Sequence, residues 1–154
     1  MTREELLAAL AEARDLPDGE AKIAELERII AHVDALGDVR LGVTVRFALI
    51  EAHQHHTDRW RMLTPFEWCL AAADRHPSTV DQAGLDRLRR LHPAAVGTVL
   101  GDSRVGLARA EDLLGDLERR LDAAGRTPRS GYALRCRIAD HVGDLTAAGR
   151  WLAR

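Results

Sequence analysis

The stretch Tyr132-Ala133-Leu134-Arg135-Cys136-Arg137-Ile138-Ala139-Asp140-His141-Val142-Gly143-Asp144-Leu145-Thr146-Ala147-Ala148-Gly149-Arg150-Trp151-Leu152 reads as two short helices meeting at Gly143-Asp144. Cys136, Ala139 and Ala148 are small enough to let two helix backbones approach closely. Gly143 has the freedom to take the left-handed turn that ends the first helix, and Asp144 is a good N-cap for the second. The stretch is therefore a helical hairpin, and the rest of the chain repeats its pattern.

Helical periodicity recurs from the N-terminus onward, while strand-type alternation nowhere exceeds a few residues, so the expected fold class is all-α. Thr2 and Glu5 form a capping box that opens a helix with Leu6, Leu7 and Leu10 on one face. That helix ends before Leu16-Pro17-Asp18-Gly19. Asp18 is placed to cap the second helix, Ile23, Leu26, Ile30 and Val33 recur at helical spacing, and Gly37 is its stop. A third helix spans about residues 39–56, with Leu41, Val45, Ala48, Leu49 and Ala52 as its apolar stripe, and the linker 57–63 breaks the pattern. Thr64-Pro65-Phe66-Glu67 starts the fourth: threonine caps, proline takes the first helical position and glutamate returns the bond. It ends near His76-Pro77. Ser78 or Thr79 opens a fifth through Leu85, Leu88 and Leu91, which Pro93 must kink or divide. Gly101-Asp102-Ser103 precedes a long sixth helix to about residue 124, Thr127-Pro128 opens the seventh, and the eighth follows Gly143-Asp144. Eight helices make four hairpins, at about residues 2–37, 39–77, 79–125 and 128–153. They form one domain of 154 residues, a length that buries about two thirds of the unfolded surface.

Lysine and arginine total 22 against 24 acidic residues, a net charge of −2, and Lys22 is the one lysine. So strong an arginine bias fits a GC-rich, bacterial genome. Residues 1–77 carry 9 basic and 14 acidic side chains against 13 and 10 from residue 78 onward, so the front is acidic and the back mildly basic. A nucleic-acid reader is expected to carry a strongly basic face. Apart from Arg126, Arg129, Arg135 and Arg137 there is none, and nucleic acid is excluded as a partner. No apolar run approaches the ~18 residues of a membrane span, and Met1-Thr2-Arg3-Glu4-Glu5 lacks the regions of a signal peptide. The expectation is a cytoplasmic protein without a membrane partner. Cys69 and Cys136 show no metal-type spacing and sit in apolar helical patterns, as buried reduced thiols do.

No GxSxG, phosphate loop, dinucleotide fingerprint or HExxH occurs, and the carboxylate pairs Glu4/Glu5, Glu25/Glu27 and Glu111/Asp112 fall on polar helix faces. The expectation is a non-enzyme without cofactor or metal. The densest polar cluster is Glu51-Ala52-His53-Gln54-His55-His56-Thr57-Asp58. On a helix His53 and His56 share a face with Arg46 and Leu49, and His55 points elsewhere. Three readings stay open: histidines favoured by the dipole of an exposed helix end, a partner-facing surface, or a pair of Zn²⁺ ligands short of the usual four. Arg46 is also within reach of Glu51 across a turn. Trp60, between Arg59 and Arg61, either lids the core between hairpins or is an exposed anchor for a partner; base stacking is disfavoured by the acidic front half.

The final stretch resembles a tetratricopeptide-repeat hairpin. Tyr132, Cys136, Ala139, Gly143, Leu145, Ala148 and Leu152 fall where that family places its aromatic, small, turn and packing residues, and Ala52, His55, Trp68 and Ala71 match within 46–77 despite an insertion at 57–63. The hairpin spacing of about 36 to 44 residues is irregular against the family's 34. The resemblance implies a right-handed α-solenoid of stacked hairpins, a non-catalytic interaction module whose concave groove receives a peptide or helix of a partner protein. It puts Arg46, Leu49, His53 and His56, then Ala133, Arg137, Asp140 and His141, at the groove-facing places. Such a groove favours an acidic or C-terminal carboxylate ligand. The alternative is a regulatory or oligomerisation segment of a larger bacterial regulator or signalling protein. The chain stops at Trp151-Leu152-Ala153-Arg154 without the polar cap an array needs, and Trp151 lies one position off the Leu145–Ala148–Leu152 seam. Trp151 is thus the expected contact for a homodimer or for a continuing chain.

Overall fold

The computed structural model describes residues 1–102, 106–123, 129–144 and 150, and among them the chain is all-helical, with no strand. The helices are α1 (Arg3–Asp15), α2 (Glu20–Leu36), α3 (Val39–Gln54), α4 (Leu63–Arg75), α5 (Gln82–Gly101), α6 (Leu107–Ala123) and α7 (Arg129–His141), with a 3-10 turn, η1 (Arg59–Met62), leading into α4. The chain divides into two compact units, Met1–Leu88 and Arg89–Arg154. The expected eighth helix, with Ala148 and Trp151, lies outside the described residues apart from Arg150. None of the described helices is long and apolar enough to cross a membrane.

The first unit is built from its caps inward. Thr2 Oγ1 accepts from the Glu5 amide at 3.3 Å and Glu5 Oε2 from the Thr2 amide at 2.7 Å, closing the capping box. Leu6, Leu10 and Ala13 of α1 then join Ile23, Leu26, Ile29 and Val33 of α2 and Leu41, Val45, Ala48, Leu49 and Ala52 of α3 in one core. Gly37 ends α2 at φ +74°, its N–H donating to the Val33 and Asp34 carbonyls at 3.0 and 3.1 Å. Asp38 caps α3 at once by accepting from the Leu41 amide at 2.9 Å. A two-residue link between packed helices makes a hairpin. α3 is buried on nearly every side, with Val43, Phe47 and Ile50 inside as well as the expected stripe. A helix apolar all round belongs at the centre of its unit, and α3 packs against α2, η1 and α4.

Three expected caps are displaced. Asp18 pairs with Lys22 at 3.1 Å while Gly19 occupies the N-cap of α2. Thr64 is already inside α4, because η1 runs straight into it and the Leu63 amide donates to the Trp60 carbonyl. A preceding turn that supplies carbonyls makes a side-chain cap redundant, and Pro65 sits where the first-turn amide has no helical partner to lose. α5 starts neither at Ser78 nor at Thr79 but after Asp81, whose Oδ1 accepts from the Gly84 amide at 2.8 Å. Pro93 does not divide α5, which runs through it to Gly101. Burial of Leu88, Leu91, Ala95, Val96 and Val99 around it outweighs the ~3 kcal/mol of an interior proline.

In the second unit α6 packs on α7, burying Ala110, Leu113, Leu114 and Leu117 with Leu134, Ile138 and Ala139. α7 closes at Gly143, φ +78°, as the sequence leads one to expect. The Asp144 amide reaches back to the Ala139 carbonyl at 2.8 Å and the Gly143 amide to Asp140 at 3.0 Å, which satisfies the last carbonyls of the helix.

Asp81→Ala is expected to lower stability by about 1 kcal/mol through loss of the α5 cap, whereas Ser78→Ala and Thr64→Ala change it by less than about 0.5 kcal/mol. Denaturant midpoints of the three variants check this, and a larger loss at Thr64 or Ser78 than at Asp81 contradicts it.

Candidate functional site

Arg46 is the one arginine on the buried face of α3. Its side chain is 8% exposed, and a buried cation is tolerated only when paired. Asp34 of α2 supplies two oxygens, taking Nη1 at 3.0 Å and Nη2 at 2.7 Å, and the guanidinium lies 3.7 Å from the ring centre of Trp68 on α4. One turn before Arg46, Gly42 makes room for both. A Cβ there would stand 3.0 Å from the Trp68 Cη2 and 3.2 Å from Arg46 Nη1. The expected partner Glu51 is occupied elsewhere, bonded to Arg87, whose guanidinium covers Phe47 at 4.6 Å.

Beside this clamp lies an open cavity of about 370 Å³. Its walls are Glu27 and Ile30 from α2, Arg46, Leu49 and His53 from α3, Trp60 and Arg61 from η1, and Thr64, Pro65 and Trp68 from α4. The 57–63 segment, a break in the sequence pattern, is what brings Trp60 and Arg61 onto it. Arg61 is held against α2 by Glu27 at 2.9 Å and Glu20 at 3.7 Å. Glu20 also meets His56 Nε2 at 3.2 Å, while His56 Nδ1 accepts from the Asp58 amide at 3.2 Å. That second bond fixes the proton of a neutral His56 on Nε2.

His53 is 1% exposed, and its Nδ1 has no hydrogen-bond partner among the described residues. Burial, then the positive charges of Arg61 and His56, push its pKa down to about 4 against the opposing pull of Glu20 and Asp58. His53 is therefore a neutral, buried group. The reading of an exposed helix end with a dipole-favoured charge does not hold for it, because packing covers the face of α3 that carries it. His55, at the C-cap, is the exposed histidine of the three. Trp60 is half-buried and forms a wall of the cavity.

Of the residues singled out in sequence, Arg46, Leu49 and His53 are thus brought together on one cavity, and His56 stands just behind it on Glu20. Arg137, Asp140 and His141 belong to the second unit and are exposed on α7. There the Arg137 guanidinium lies 3.4 Å from where a Gly97 Cβ would be, and Arg135 is bonded to Glu118 with Nε at 2.6 Å. Among the described residues no three His, Cys, Asp or Glu side chains gather as a metal site. Cys69 is buried, with its thiol pushed up to about 12, and Cys136 is only half-buried.

Sequence reasoning missed His92. It is fully buried in the second unit, and Nε2 donates to the Leu113 carbonyl at 2.9 Å with Asp116 at 3.8 Å. Burial lowers its pKa to about 4, with Asp116 opposing and Arg120 assisting. Its place among Leu88, Leu91 and Ala95 at helical spacing was the available signal. No protein-family model, curated protein or solved structure matches the chain.

Both buried histidines are neutral when folded and titrate near 6.5 when unfolded. Between pH 6.5 and about 4 the unfolded chain binds more protons, so their stabilisation is complete above 6.5 and lost as pH falls. From pH 6.5 to 5 stability is expected to fall by up to about 1.4 kcal/mol per pH unit for each histidine. Denaturant unfolding of His53→Leu should show about half the parent's dependence, and a parent indifferent to pH in this window contradicts the assignment.

Proposed function

We propose that this chain is a non-catalytic, cytoplasmic interaction module of helical-repeat type, and that it takes a segment of a partner protein into the cavity of the first unit. The observation that carries the reading is the cavity itself, open and walled by successive helices whose spacing is fixed by one ion-paired arginine. Rigid, preformed walls reduce the ordering cost of binding. The lining joins aromatic and aliphatic side chains, Ile30, Leu49, Trp60, Pro65 and Trp68, to polar ones from the same helices, a combination binding clefts use. A histidine held down to a pKa of about 4 is a poor general base at neutral pH, which favours binding over chemistry. The consecutive packing of α1 on α2, α2 on α3 and α3 on α4 supports a solenoid-like stack of hairpins resembling tetratricopeptide repeats. An acidic ligand has weaker support, since Arg46 and Arg61 already face carboxylates. The alternative of a regulatory segment docking through Trp151 rests on residues outside those described.

Thr64 is exposed at the mouth of the cavity, so Thr64→Trp fills it without touching the core. Affinity capture from source-cell lysate with the parent, with Thr64→Trp and with Glu12→Trp on exposed α1 tests the proposal. Proteins held by the parent should be lost about tenfold or more by Thr64→Trp and kept by Glu12→Trp. Identical captures by all three overturn it.

A further inference from the structure

We propose that the partner segment taken up by this cavity is basic and amphipathic: its apolar side chains enter the cavity, and lysine or arginine side chains beside them lie against a row of carboxylates along the α2 edge. The inference rests on the reading of the cavity as the docking site and names the chemistry of its partner. About 370 Å³ is more than one side chain fills, and Ile30, Leu49, Trp60, Pro65 and Trp68 give the entering side chains apolar contact. Those walls select apolar residues and are indifferent to the charge of their neighbours. The α2 edge is not.

Glu20, Glu27 and Asp34 follow one another at steps of seven residues on α2. Seven residues bring an α-helix to within about 20° of two full turns, so the three carboxylates share one face, in a row about 21 Å long at 1.5 Å per residue. Glu27 lines the cavity itself, while Asp34 and Glu20 hold Arg46 and Arg61 of its lining. On the same face lie Ala24 and Ala31, both exposed and too small to screen the row.

The ion pairs of this row are lopsided. The side chains of Glu20, Glu27 and Asp34 are 64%, 48% and 47% exposed, whereas the groups they hold, Arg46, Arg61 and His56, are 8%, 30% and 19% exposed. Positive charge is turned inward and negative charge outward, so an approaching segment meets an anionic edge. The contacts of Arg61 and His56 with Glu20, and of Arg61 with Glu27, all use Oε1. An ionised carboxylate has about four lone-pair positions on its two oxygens, so both glutamates can accept a further cation at Oε2 without releasing the first. Residues 1–77 add to the same field with 9 basic against 14 acidic side chains, which steers a cationic segment inward. An acidic segment would set its carboxylates against the row, and like charges across an interface cost affinity.

The test titrates short acetylated and amidated peptides of the pattern X-Leu-Leu-X-X-Leu-Leu-X, with X lysine, glutamine or glutamate, into the full chain at pH 7. Binding is followed by the NMR signals of the Trp60 and Trp68 indole N–H groups and of the α2 amides. The lysine peptide should shift both sets and bind about fivefold more tightly than the glutamine peptide, the worth of two half-exposed ion pairs. The glutamate peptide should bind more weakly than either. In about 1 M salt, where the Debye length is about 3 Å, the lysine advantage should fall below about twofold. Glu20→Gln with Glu27→Gln should bring the lysine peptide down to the affinity of the glutamine peptide and leave the latter unchanged. Glu4→Gln with Glu12→Gln removes the same charge from exposed positions of α1 and should keep the advantage, and Thr64→Trp should abolish binding of all the peptides. Equal binding of the lysine and glutamine peptides by the parent, tighter binding of the glutamate peptide, or a lysine advantage that survives Glu20→Gln with Glu27→Gln, survives salt, or is lost equally in the α1 variant overturns the basic partner. If that happens while Thr64→Trp still loses its captured partner, the module stands with a partner of another charge. If the lysine peptide binds as expected while Thr64→Trp captures everything the parent does, the module reading fails and the preference of the cavity stands.

Discussion

A buried guanidinium shared between two neighbouring helices sets the geometry of the first unit. Arg46 rises from α3, the central helix, and its head is fixed by both oxygens of Asp34 on α2 and by the face of Trp68 on α4. Burying that charge is tolerable only because the carboxylate matches it and the indole face adds an electrostatic attraction of about 0.5–2 kcal/mol. Gly42 is part of the same arrangement, since a side chain there would crowd both the ring and the guanidinium. With α2 and α4 tied to one side chain, the space between them is held open beside the clamp. The second tie, from Arg61 and His56 to Glu20 and Glu27, draws the 57–63 segment against α2 and completes the wall.

The same pairing changes the character of the cavity. Read along the chain, Arg46, His53 and His56 on one helix face describe a positive groove. In three dimensions Arg46 is matched by a carboxylate, His53 is held neutral by burial, and Arg61 of the 57–63 segment is balanced by Glu20 and Glu27 from α2. What is left to meet a ligand is aromatic and aliphatic surface from Ile30, Leu49, Trp60, Pro65 and Trp68, with Thr64 exposed beside it. Selectivity inside such a site comes from shape and apolar contact, where the sequence suggests charge.

What was legible in the sequence follows the range of the interactions involved. The Thr2–Glu5 capping box and the glycine stops at Gly37 and Gly143 depend on bonds within a few residues, and they stand as read. Asp18, Thr64 and Ser78 each have the right chemistry for a cap but lose to a neighbour or to an upstream turn, a competition that residue type alone does not decide. The burial of hydrophobics around Pro93, which carries α5 through it, is likewise a tertiary effect. For the site, Arg46, Leu49 and His53 share a face by helical spacing, and that much is periodic. Their partners are not: Asp34, Trp60, Trp68 and Arg61 arrive from other elements, and the pKa of His53 is set by what those elements cover.

α2 and α4 are coupled through Arg46, and a double-mutant cycle between Asp34→Ala and Trp68→Leu measures that coupling, since both residues hold the same guanidinium. Loss of either partner loosens Arg46, so removing the other should then cost less. Denaturant unfolding is expected to show the double variant about 1 kcal/mol more stable than the sum of the two single losses predicts. Losses that add to within about 0.3 kcal/mol, as for independent sites, would contradict the clamp and with it the rigidity of the cavity.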